Sequence, residues 1–154
     1  MSKMKLVINK RALNDYTIQD TYLAGVVLTG AEVKSLRLGH ASLTGSYVKV
    51  IANEVFLVGA QISPYKYADN RDYDPKRTRK LLMRRRQIDD AQDSQDEKGL
   101  TLVPLAWEKV GRHIKISVGL ARGKKQHEKR AELRRRSIER DVAREVKHHT
   151  SYRV

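Results

Sequence analysis

The strictest pattern in this chain is the alternation from His113 to Leu120. Ile114, Ile116, Val118 and Leu120 share one face; His113, Lys115, Ser117 and Gly119 share the other. A period of two marks a strand with one buried side, so the fold must hold a sheet whose apolar face is covered. Other segments read the same way. Tyr16 to Leu28 is rich in strand-favouring residues, and Gly25 inside it predicts a bulge or sharp bend. Tyr47–Ile51 and Val55–Ile62 form the arms of a hairpin turned at Asn53-Glu54. Leu100–Trp107 is a strand that Pro104 confines to an edge or a bulge. Residues 5–8 add a short strand, followed by a polar turn over Asn9–Asn14.

Helical signals interrupt this pattern. Thr29 followed by Glu32 has capping-box spacing, Val33 and Leu36 share a face, and Gly39 supplies a stop, which predicts a helix over 29–38. Lys66–Asp74 reads as a polar surface loop. Asp74-Pro75 then reads as a helix entry, with a helix over 75–84 and another running to about residue 97. After Gly123 neither Gly nor Pro occurs, but Ala131, Ile138, Val142 and Val146 make an apolar stripe too thin to bury firmly. The expected fold class is α+β: a small closed β-barrel of oligonucleotide-binding type with about three peripheral helices. The barrel occupies residues 1–123. A basic tail over 124–154 is expected to be disordered when free and helical when bound.

Charge narrows the function. Thirty-two Lys and Arg oppose 18 Asp and Glu, a net charge of +14. Such an excess concentrates polyanions, and nucleic acid is the leading partner class. Between Lys76 and Arg86 lie seven cations and no acid. On a helix their guanidiniums would fan outward while Leu81, Leu82 and Met83 face the barrel; the plainer alternative is a solvated face. From Arg122 to Lys147 eleven Lys or Arg stand against five acids, several spaced for i,i+4 pairing. The tail lacks the bulky aromatic anchors of a membrane-docking helix, and the run Leu6–Ile8 is too short for a signal peptide. A soluble cytoplasmic monomer is expected, with no membrane partner.

Catalysis finds little support. The chain has no cysteine, which removes disulfides, thiol chemistry and Cys-based zinc sites. Its five histidines (His40, His113, His127, His148 and His149) show no metal-ligand spacing, and Gly119–Gly123 is not a phosphate loop. No cofactor is expected. Aromatic residues are only 6% of the chain, and Phe56 and Trp107 sit in strand runs where core packing explains them. That composition favours recognition of folded RNA by shape and phosphate over single-strand stacking. A generic basic ribosomal or single-stranded RNA-binding protein is the alternative.

Five blocks then occur in one order: NKRALNDY (Asn9–Tyr16), TGAEVKSLR (Thr29–Arg37), DPKRTRKLL (Asp74–Leu82), GLTLVPL (Gly99–Leu105) and LARGKKQHEKR (Leu120–Arg130). Over residues 5 to 136 the chain resembles the small protein B family, the tmRNA-binding proteins of bacterial trans-translation. The resemblance implies a non-enzymatic protein that binds the tRNA-like domain of tmRNA and delivers it to stalled ribosomes. By the same resemblance, Asn9, Lys10, Arg11, Tyr16, Glu32 and Lys34 fall in blocks close to the RNA face. Arg77, Arg79, Lys80 and Arg84 join them from the basic cluster. Gly123, Lys124, Lys125, His127, Lys129 and Arg130 match the segment entering the family's tail, which implies contact with the small-subunit decoding centre and mRNA channel. Two of these residues have simpler explanations: Glu32 in its capping box and Asn9 in a turn.

The chain departs from the family pattern at three places. Leu23 stands where glutamate is usual, Met83-Arg84 where Asn or His commonly follows the leucine run, and Glu128 where Asp is usual before Lys129-Arg130. The first two fall on the implied RNA face, where Arg84 adds a phosphate contact.

Overall fold

The alternating segment at His113–Leu120 lies inside the main sheet of a computed structural model that describes residues 2–124 and 134–142. In chain order the elements are β1 (Lys3–Ile8), α1 (Lys10–Asp15), β2 (Tyr16–Val26), α2 (Gly30–Arg37), β3 (Ala41–Ser42) and β4 (Tyr47–Ile51). They continue with β5 (Glu54–Val58), β6 (Gln61–Ile62), β7 (Arg79–Leu82), α3 (Arg85–Lys98), β8 (Thr101–Val110) and β9 (His113–Gly123). Residues 134–142 form a further helix, α4.

Seven strands build one antiparallel sheet in the order β1-β8-β9-β2-β7-β5-β4, while β3 and β6 pair separately. The fold is α+β, as expected. Its ladders run from β1 to β4 without returning, so the pairing leaves an open sheet where a closed barrel was expected. The closing contact is made by packing: β4 lies against β8, whose residues 106–110 pair with β1 and whose other edge pairs with β9, but no ladder joins β4 to β8.

The predicted inward set of β9 (Ile114, Ile116, Val118, Leu120) is buried, in one cluster with Trp107, Leu57, Leu81 and Leu36. The other face is less polar than alternation implied. Ser117 and Gly119 are also buried, beside a second cluster of Ala12, Val103, Leu105 and Ala121 beneath α1. Gly119 leaves these side chains room: a Cβ there would stand 3.0 Å from a Leu105 methyl and 3.2 Å from an Ile18 methyl, so both would have to shift.

Several local expectations change. The polar turn over Asn9–Asn14 is helix α1, whose N-cap is Asn9: its side-chain oxygen accepts from the Ala12 N–H at 3.2 Å. No helix spans 75–84. Asp74 makes only a one-turn motif, accepting from the Lys76 N–H at 2.9 Å, and the chain then enters β7 with Arg79 and Leu81 inward, Lys80 and Leu82 outward. The bulge of β2 lies between Ile18 and Asp20 instead of at Gly25. Pro104 does mark a bulge, but β8 is internal. The hairpin turns at Ala52-Asn53, both at positive φ, and its second arm breaks at Gly59 into β5 and β6. The α2 reading holds: Thr29 and Glu32 make both bonds of the capping box.

Candidate nucleic-acid interface

Glu32 is the centre about which half of the candidate residues are arranged. Its side chain is buried and its Oε1 accepts from the Thr29 N–H at 3.0 Å. Arg77 donates to both oxygens, through Nη2 to Oε1 and through Nε to Oε2 at 3.2 Å. Arg79 donates to Oε2 through Nε (2.8 Å) and Nη2 (2.5 Å). The remaining Arg79 donors go to the carbonyls of Ala60 (2.8 Å), Arg77 (3.1 Å) and Pro75 (3.1 Å). Tyr73 closes the group, its hydroxyl donating to the Ile62 carbonyl at 2.8 Å and lying 3.2 Å from Glu32 Oε2. Burial pushes the Glu32 carboxyl up. Hydrogen bonds from Arg77, the Thr29 backbone and Arg79, with the Arg79 charge, outweigh burial and hold it at about 2.

This arrangement corrects part of the basic-cluster reading. Arg79 has 0% relative exposure, so its guanidinium reaches no phosphate. Its work is internal: it ties β7 to α2 and to the 75–78 turn. Arg77 is partly exposed and commits its Nε and Nη2 to Glu32 and, at 3.1 Å, to the Val27 carbonyl. Lys80 is exposed and pairs with Glu54 across the sheet at 3.1 Å. Arg84, at the N-cap of α3, remains an outward cation.

Asn9 is likewise structural. Besides capping α1 it donates to the carbonyls of Pro104 (2.8 Å) and Leu43 (3.5 Å), which uses its oxygen and both amide hydrogens. Lys10 and Arg11 next to it are exposed on α1, and Tyr16 is half-buried against the second cluster. Arg11 and Tyr16 border one concavity of about 270 Å³ with Tyr47. Gly123 ends β9 near α1, where the Lys124 N–H donates to the Asp15 carbonyl at 2.8 Å. Arg136 of α4 donates to Asn14 of α1. Lys125, His127, Lys129 and Arg130 lie outside the described residues.

The departures at Leu23 and at Met83-Arg84 come together. They line one concavity of about 520 Å³ with Gln87 and Lys115. Its cations are Arg84 and Lys115; Glu108 stands across the ladder from Lys115 without an ion pair between them. The candidate cations therefore divide into those that build the scaffold (Arg77, Arg79), those exposed beside a surface carboxylate (Lys80 with Glu54, and Arg11 with Asp15 at 3.7 Å) and other exposed ones (Lys10, Lys34, Arg84). Lys34 is exposed on α2, its ammonium 5.4 Å from the Tyr65 ring centre. Among the described residues no group of three or more His, Asp or Glu is placed to hold a metal ion, and no helix is long and apolar enough to cross a membrane.

The division can be measured. Arg79→Ala is expected to lower stability by about 3–5 kcal/mol, because it strands buried Glu32. Arg84→Ala should change stability by no more than about 0.5 kcal/mol. Its effect should be on polyanion binding, reducing the salt dependence by roughly one phosphate contact. Denaturant melts and RNA titrations at several salt concentrations separate the two outcomes.

Comparison with known proteins gives a consistent result. A family model described as "SmpB protein" matches residues 6–148. The SsrA-binding protein of Chloroflexus aggregans is 46% identical over 140 residues, covering 90% of this chain and 89% of that protein. Its counterpart in Microcystis aeruginosa is 46% identical over 147 residues, with 94% and 96% covered. A solved structure described as "tmRNA-SmpB: a journey to the center of the bacterial ribosome" matches with a TM-score of 0.65 and 42% identity, over 77% of this chain and 84% of that one.

Proposed function

This chain belongs to the SmpB family, and on that premise we propose that it binds the tRNA-like domain of tmRNA and delivers it to stalled ribosomes for trans-translation. It does so without catalysis, as a monomer in the cytoplasm. The observation that carries the reading is the family match over residues 6–148, at 46% identity to SsrA-binding proteins whose length it nearly spans. The charge supports it: a net +14 with exposed Lys10, Arg11, Lys34 and Arg84 suits a phosphate backbone.

In this reading Lys10, Arg11, Tyr16, Lys34, Lys80 and Arg84 meet tmRNA directly. Asn9, Glu32, Arg77 and Arg79 act by holding α1, α2 and β7 in place. The segment Gly123, Lys124, Lys125, His127, Lys129 and Arg130 leads to the decoding centre, and the tail beyond it occupies the empty mRNA channel. We read the curled sheet as an oligonucleotide-binding barrel closed by packing. Two features support this: β4 lies against β8 without a ladder, and Asn9 bonds at once to Pro104 in β8 and to Leu43 ahead of β4.

A competition titration tests the RNA class. At near-physiological salt the tRNA-like domain should displace bound RNA at concentrations at least about a hundredfold lower than an equally long unstructured RNA. Equal competition would overturn recognition of folded RNA and leave a generic basic RNA-binding protein.

A further inference from the structure

Between β6 and β7 the chain holds a tyrosine ring out in water. Tyr67 is 78% exposed, more than any other large apolar side chain among the described residues. Its neighbour Tyr65 is half-buried, and the two rings meet edge to face with centroids 5.5 Å apart and planes at 68°. Each ring has an ammonium group beside it: Lys34 at 5.4 Å from Tyr65 and Lys66 at 5.6 Å from Tyr67.

The loop that carries these rings is braced. Asn70 donates to the carbonyls of Tyr65 (2.8 Å) and Ala68 (3.1 Å), and the Ala68 N–H donates to the Tyr65 carbonyl at 3.1 Å. At the base, the Ile62 N–H donates to the Pro75 carbonyl at 2.9 Å, and Tyr73 is held by Ile62 and Glu32. The brace fixes the backbone on both sides of Tyr67, so the ordering entropy lost when a flat group stacks on the ring is confined to the ring's own rotamers. Lysine–ring contacts account for Tyr65 and Lys34 by themselves. They do not account for the outward position of Tyr67, whose ring gains nothing from apolar burial.

We propose that Tyr67, buttressed by Tyr65 and flanked by Lys34 and Lys66, is a stacking platform for one unpaired base of the bound RNA, the two lysines taking its neighbouring phosphates. The proposal rests on the RNA-binding reading above and adds a residue set to it. A single platform suits a base splayed out of a folded RNA; a single-strand binder would need a row of rings.

The test uses the full chain, with the tRNA-like domain of tmRNA as probe and three variants. Tyr67→Ala is expected to weaken binding by about tenfold while leaving the slope of log affinity against log salt unchanged, since no phosphate contact is removed. Tyr67→Phe should bind as the unaltered protein does. Tyr67→Trp should bind and change its emission on adding RNA, with fully buried Trp107 as a constant background. Unchanged affinity of Tyr67→Ala would overturn the platform, as would a loss matched by a shallower salt slope, which would place the effect on the lysines. Failure of the unaltered protein to bind the probe is a different result: it would overturn the RNA reading and the platform with it.

Discussion

Replacing Glu32 by alanine is expected to lower stability by about 3–5 kcal/mol, a large share of what a domain of this size possesses. The loss follows from what remains behind. Arg79 has no access to solvent and donates two of its hydrogen bonds to the Glu32 carboxylate, so the variant keeps a buried guanidinium without a counter-charge. The Thr29 N–H also loses its capping partner, and Tyr73 its neighbour. Urea denaturation measures the effect, and a change under about 1 kcal/mol would contradict the burial of this network.

The same residue sets a pH dependence whose sign is determined. Glu32 is held at about 2 in the folded protein against 4.5 for the free group, so the native state releases this proton more readily than the unfolded chain. The stabilisation is complete above pH 4.5 and is lost as pH falls towards 2. The stability gap between the natural protein and Glu32→Gln should therefore be constant near neutrality and shrink progressively below pH 4.5.

The second large effect concerns the tail. A chain ending at Lys124 retains both apolar clusters and the Lys124–Asp15 backbone bond. It is expected to fold and to bind tmRNA within about threefold of the full chain, because the exposed cations of α1, α2 and the α3 N-cap remain. In a reconstituted tagging assay on stalled ribosomes it should be inactive, since the residues assigned to the mRNA channel are gone. Loss of RNA binding with the sheet intact would move the tail into the tmRNA site. Retention of both activities would show the tail to be dispensable.

Legibility in the sequence followed the range of the interactions. The α2 helix, the β4–β5 hairpin and the buried face of β9 were readable because each signal is complete within a few residues. Strand β7 was not. Its alternation is visible only if Arg79 is allowed to point inward, and the carboxylate that permits this lies 47 residues away. The Asp74-Pro75 signal was real, yet it closed a single turn because Arg79 and Leu81 had partners in the sheet. Helix α1 escaped notice because it is 6 residues long and its cap, Asn9, is tied to carbonyls in distant segments. The second apolar cluster was hidden for a related reason: Gly119 read as solvent-facing, but Leu105 and Ile18 from neighbouring strands cover it. In the candidate site, Lys10, Arg11, Lys34 and Arg84 are exposed while Arg79 is buried. Composition alone had no means of separating them from Arg79.

The central claim is that this chain carries one particular RNA. It is tested most directly by recovering the protein from its native cells under mild cross-linking and sequencing the RNA that accompanies it. The expected result is strong enrichment of tmRNA over its abundance in the cell, with cross-links confined to the tRNA-like domain. Recovery of a mixture in proportion to cellular abundance, dominated by ribosomal RNA and without tmRNA enrichment, would contradict the account.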